Sequence, residues 1–167
     1  DPAAFDGEPR RPYNVGADAL MLQLRSQVLT FTPDAAAGVA RVTVEPVLAG
    51  VRLEGPRTAA DRSAREDGLS LRLSNAPCGD WRGGLGLDLS DPARVRLQGD
   101  YPAACGERRW PLAYADPASY DARRLGAMWT SLEGRLRGKV RDGRVPAGLA
   151  PFFEVQSPPL ADVIRDV

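Results

Sequence analysis

Leu69-Ser-Leu-Arg-Leu-Ser74, Leu85-Gly-Leu-Asp-Leu89 and Arg94-Val-Arg-Leu-Gln98 repeat one pattern three times. Leu69, Leu71 and Leu73 fall on one side, with Ser70, Arg72 and Ser74 on the other. Leu85, Leu87 and Leu89 repeat the alternation, as do Val95 and Leu97 against Arg94, Arg96 and Gln98. A period of two marks strands with one dry face and one wet face. Cys78 and Cys105 bracket the unit, and Trp110-Pro-Leu-Ala-Tyr114 extends it. This bracketing predicts a Cys78–Cys105 disulfide. In the chain-entropy account, closing a loop of that size stabilises the fold by about 3–4 kcal/mol.

Upstream, Ala19 to Thr32 reads as a long strand or a pair of strands. Leu20, Leu22 and Leu24 share one parity, whereas Leu29 and Phe31 take the other. A bulge near Ser26-Gln27 would repair the register by one residue. Pro33-Asp34 with Gly38 makes a loop. Val39 to Glu45 and Val47 to Glu54 then read as strands, with Pro46 at a kink or edge. Gly55 to Gly68 is polar and charged and reads as an exposed connection. Ahead of all this, Asp1 to Val15 carries Pro2, Pro9 and Pro12 and reads as an extended leader, with Phe5 and Tyr13 as local anchors. The rest, 16–167, reads as one β-rich domain.

Downstream, Asp116 is placed to cap a helix and Pro117 to occupy its first position. The spacing predicts a helix over about 117–131, with Met128, Trp129 and Leu132 in a stripe buried on the sheet. Gly134 to Val145 then reads as a hairpin turning at Asp142-Gly143. Phe152 to Gln156 reads as a last short strand, and Leu160, Val163 and Ile164 as a closing helical turn. The expected fold is therefore mainly β, with eight to ten strands. It is an antiparallel β-sandwich or barrel-like sheet with one packed α-helix.

The chain has 167 residues, 22 basic and 22 acidic, and no histidine. Charge balance removes the electrostatic reason to expect nucleic acid or an anionic membrane. The basic residues are 21 arginines and a single Lys139, and Ile164 is the only isoleucine. This skew reflects GC-rich codons, so arginine alone says little about phosphate binding. No run approaches the roughly 20 apolar residues a spanning helix needs.

The absence of histidine removes the usual general base of serine and cysteine nucleophiles. Two cysteines 27 positions apart suit neither a zinc site nor a redox pair. No metal or cofactor is expected. Gly83-Gly84-Leu-Gly86 resembles a phosphate turn, but leucine alternation follows it rather than a helix. Asp80, Asp88, Asp91, Asp100 and Glu107 are the acids available for carboxylate chemistry. Asp88 and Asp91 already read as strand and turn residues.

The most suggestive cluster is Asp80-Trp81-Arg82 with Glu107-Arg108-Arg109-Trp110, two tryptophans flanked by guanidinium and carboxylate groups, each stretch just beyond a cysteine. A closed disulfide brings both to one rim, where tryptophan rings and guanidinium groups can hold a sugar or peptide. Of the two rings, Trp110 is expected to be structural, because Leu112 and Tyr114 continue its parity. The disulfide implies an oxidising compartment, periplasmic or extracellular. Together these features lead us to expect a non-catalytic binding domain of the bacterial cell envelope, whose partner is a protein or an envelope component. They leave room for a membrane anchor ahead of Asp1. The alternatives are a periplasmic carrier of lipid or another hydrophobic ligand, and a carboxylate-based glycan hydrolase.

Overall fold

The computed structural model describes residues 4, 6–18, 20–56, 68–140 and 143–165. Among the described residues, eight strands form two sheets. β1 (Ser26–Asp34), β2 (Val39–Glu45), β4 (Gly68–Ser74), β7 (Tyr101–Pro102) and β8 (Arg108–Ala113) make a five-stranded sheet in the order β7-β4-β2-β1-β8. β3 (Arg52–Glu54), β5 (Gly86–Asp88) and β6 (Arg94–Gln98) make a smaller one in the order β3-β6-β5. The helix α1 spans Pro117–Ser131, and a short α2 spans Leu160–Arg165.

The alternating leucines do what their period requires. Val42 faces Leu69 and Ala40 faces Leu71 across β2 and β4, while Phe31 faces Val42 across β1 and β2. Their dry faces meet Leu85, Val95 and Leu97 of the smaller sheet in one core. This is a mainly β, two-sheet arrangement with a packed helix. Most pairings are antiparallel, but β3–β6 and β4–β7 are parallel. Parallel neighbours need a connection that leaves and returns, and here the chain does so by changing sheets. It crosses between β6 and β7 at Gly99, whose φ is 104°. A β-carbon there would lie 2.8 Å from the Gly84 carbonyl oxygen, so only glycine fits this corner.

Cys78 and Cys105 are bonded, with Cα atoms 4.7 Å apart. The parity break before β1 is made by a turn at Gln23–Arg25 rather than by a bulge, so Leu20 and Leu24 are exposed and only Leu22 reaches a core cluster. Val47–Glu54 is not one long strand. Pro46, with a cis peptide bond, opens a loop that carries Leu48 into a second core cluster with Tyr114 and Tyr120, and only Arg52–Glu54 pairs.

Helix α1 has the expected bounds and a different packing. Its first half docks: Tyr120 is fully buried, and its hydroxyl donates to the Ser26 carbonyl at 2.9 Å. Arg123 donates to the Ala49 carbonyl at 3.0 Å. Ser119 N–H is satisfied by the Asp116 carbonyl, and the Asp116 side chain makes no cap. The predicted stripe of Met128, Trp129 and Leu132 is not buried. Trp129 is 51% exposed, because the helix leans on the 46–51 loop and its last turn runs past the body. Its ring instead covers Gly134, whose own backbone returns to the Trp129 carbonyl.

Beyond Ser131 two further expectations fail. Among the described residues of 134–145 there is no strand, and Asp142 lies outside them. Phe152–Gln156 is likewise no strand, since no neighbour among the described residues offers it a ladder. The closing helix at Leu160 is present. No helix among the described residues is long and apolar enough to cross a membrane.

Candidate functional site

The disulfide delivers the chain into a tight turn at residues 80–85. Asp80 accepts the Gly83 N–H at 3.0 Å through Oδ1, and Leu85 N–H returns to the Arg82 carbonyl. The turn drives Trp81 inward and leaves Arg82 above it. Trp81 meets Phe31 at 5.2 Å and Tyr101 at 5.8 Å between ring centroids. It also meets Trp110 edge to face at 5.8 Å. Trp110 touches no other ring among the described residues, so Trp81 is the more deeply integrated of the two. The parity argument for Trp110 did not count Phe31, which reaches Trp81 from β1.

The Arg82 guanidinium carbon lies 5.2 Å from the Trp81 ring centre and 5.8 Å from that of Trp110. Cation–π attraction of this kind is worth about 0.5–2 kcal/mol, depending on desolvation. Arg82 is half-buried, and its Nε is sequestered without a hydrogen-bond partner. It makes no ion pair among the described residues. The nearest acid in sequence, Asp80, is engaged with Gly83 N–H.

Strand alternation divides the predicted patch. Trp110 lies opposite Leu29 and turns toward the space between the sheets. Arg109, one residue away, points to the other face of the same sheet. There it lines an open groove of about 1300 Å³ with Val28, Glu45 and Arg124 of the helix. Arg108 is exposed at the start of β8. The five residues therefore do not form one surface. Trp81, Arg82 and Trp110 cluster together, and Arg109 belongs elsewhere.

Beside the cluster, between the edges of β8 and β5, is a cleft of about 650 Å³. Arg82, Trp110, Leu112 and Leu87 line it together with Leu24 and the leader residues Arg10–Tyr13. The leader is fixed there: the Arg10 carbonyl accepts the outward-facing Ala113 N–H at 2.8 Å. Pro12–Asn14 form a turn, and Tyr13 and Asn14 both donate to Asp6, at 2.6 and 2.7 Å. Pro111 pairs with Val28 on its inner side and presents no amide to the open edge, which discourages indiscriminate strand pairing.

Leu24 reaches the cleft through an unusual backbone. Gln23, Leu24 and Arg25 all have positive φ (48°, 51° and 45°). Left-handed conformation costs a non-glycine residue about 1–2 kcal/mol. Polar contacts hold this turn in place. Arg25 binds Asp121 at 2.7 Å and Asp18 at 2.8 Å, Arg124 donates to the Gln23 side chain at 3.0 Å, and Ser26 donates to the Gln23 carbonyl at 2.8 Å. These contacts offset the backbone strain of the turn. Sequence reasoning missed Leu24, Leu87 and Leu112 as cleft residues. Three ordinary side chains in a left-handed turn leave no signature, and the two strand leucines look like plain core.

The acids are differently employed. Asp88 accepts the Ser90 N–H and pairs with Arg96. The Ser90 hydroxyl and amide, then Arg96, hold its carboxyl below the usual aspartate value, the wrong direction for a general acid. Asp91 accepts Ala93 N–H in its turn, and Glu107 accepts from Thr32. Between the sheets, the cavity bounded by Gln27, Leu29, Val44, Leu89 and Tyr114 measures about 20 Å³, room for a single water. Set against models of known protein families and against curated proteins, the chain matches none.

Proposed function

We propose that this chain is a non-catalytic, extracytoplasmic binding domain of the bacterial cell envelope, with the cleft at Arg82 and Trp110 as its recognition site. The observation that carries the reading is Arg82 itself. A half-buried cation stacked over two tryptophans, in no ion pair among the described residues, is an anchor awaiting an anion. The apolar walls beside it suit a ligand that also brings an aromatic or aliphatic group. The disulfide supports an oxidising compartment. A protein segment or an envelope component with acidic and apolar groups in sequence fits this chemistry. The lipid-carrier alternative draws no support from a 20 Å³ interior cavity, nor the hydrolase alternative from acids committed to turns.

Panning a random peptide library on immobilised wild-type protein, with counter-selection on Arg82→Glu, tests the proposal. Enriched sequences should combine Asp or Glu with Phe, Tyr or Leu. Arg82→Ala or Trp110→Ala should weaken the best peptide by about tenfold or more. Equal binding to wild type and to both variants overturns the assignment of the cleft.

A further inference from the structure

The tail beyond α1 has the composition that the cleft calls for. From Val145 to Ile164 there is no basic residue, and the two charged ones are Glu154 and Asp162. Phe152 is 99% exposed, Phe153 73% and Val155 83%. The two phenyl rings touch each other, with centroids 6.1 Å apart. Pro151 and Pro158 delimit a stretch, Phe-Phe-Glu-Val-Gln-Ser, whose alternation is that of a strand, yet it pairs with no strand among the described residues. The cleft carries Arg10, Arg11 and Arg82 against one acid, Glu8, and its floor is apolar. Acidic-aromatic segment and basic-apolar cleft are complementary in both respects.

We infer that the segment Phe152–Ser157 of one copy docks into the Arg82–Trp110 cleft of a second copy, with Glu154 meeting the arginines and a phenylalanine entering beside Trp110. The inference rests on the cleft being the recognition site and names its occupant. Twenty residues, Leu132 to Pro151, join the segment to the helix. Extended, they span about 65–70 Å, enough to reach a neighbouring molecule. Tail to cleft is a heterologous contact, closed when two copies exchange tails reciprocally or a larger ring forms, and open otherwise.

The test is sedimentation velocity on the full chain over a range of concentrations, with variants Phe153→Asp and Arg82→Glu. Wild type should associate as concentration rises, and each variant alone should raise the dissociation constant about tenfold or more. An equimolar mixture should recover association, because one variant keeps an intact cleft and the other an intact tail. A synthetic peptide covering residues 149–158 should compete and should quench or shift the tryptophan fluorescence. Wild type that stays monomeric while still binding this peptide overturns the second copy as occupant and leaves the cleft assignment standing. Association that persists in Arg82→Glu places the tail elsewhere and overturns the inference. Absence of both association and peptide binding removes the inference, while library panning still decides the cleft independently.

Discussion

Phe31 and Phe153 are the same residue in two regions that use it in opposite ways. Phe31 has no exposed surface; it stacks on Tyr101 at 5.2 Å and meets the edge of Trp81 at the same distance. Phe153 lies in a tail that offers it one neighbouring ring and otherwise water. Both sit in stretches of alternating character. The difference is the neighbour: β1 has β2 on one side and β8 on the other, whereas 152–157 has no strand beside it among the described residues. Alternation prepares a segment to be a strand, and only a partner's amides and carbonyls make it one.

The contrast is broken most forcefully at Phe31. Phe31→Ala should cost about 3–5 kcal/mol in denaturant titration, whereas Phe153→Ala in dilute protein should stay within about 0.5 kcal/mol. Comparable losses would mean that the tail packs on its own body. A smaller effect belongs to Tyr120, where the helix joins the body. Burial pushes its phenol up to about 12 from the ordinary 10. Because the folded value is raised, the stabilisation is complete below pH 10 and drains away as pH climbs from 10 toward 12. Spectrophotometric titration should show one tyrosine ionising near 12, and Tyr120→Phe should abolish that late step for about 1 kcal/mol of stability. Smaller than the loss at Tyr120 is that of Trp129→Ala, for which half exposure predicts under about 1 kcal/mol. A loss of 3 kcal/mol or more would place that ring in a core.

These outcomes follow how far local pattern can reach. The leucine strands, the disulfide and the bounds of α1 were legible because each depends on neighbours in sequence or on a forced pairing of two cysteines. The burial of Trp129 was misjudged because a helical stripe says which residues share a face, not where along the helix the body ends. The hairpin at 134–145 and the strand at 152–156 were misread for the reason Phe153 illustrates. At the site, Trp81, Arg82 and Trp110 were visible as a cluster beside the cysteines. Arg109 was grouped with them because charge was read along the chain, and strand alternation then sends it to the opposite face. The contribution of Leu24 rests on three positive φ angles that side-chain identity does not announce.

The disulfide has a consequence under proteolysis. Cys78 and Cys105 enclose β5, β6 and β7 in a covalent ring, which includes two of the three strands of the smaller sheet. The exposed turn at Gly83-Gly84 lies within it. A single cut there severs the polypeptide without releasing a fragment, since both new ends stay tied through sulfur and each remains part of the shared core. The cut chain runs as one species until thiol is added, and as two afterwards. In a compartment where proteases and oxidants coexist, a nicked molecule of this design stays in one covalent piece.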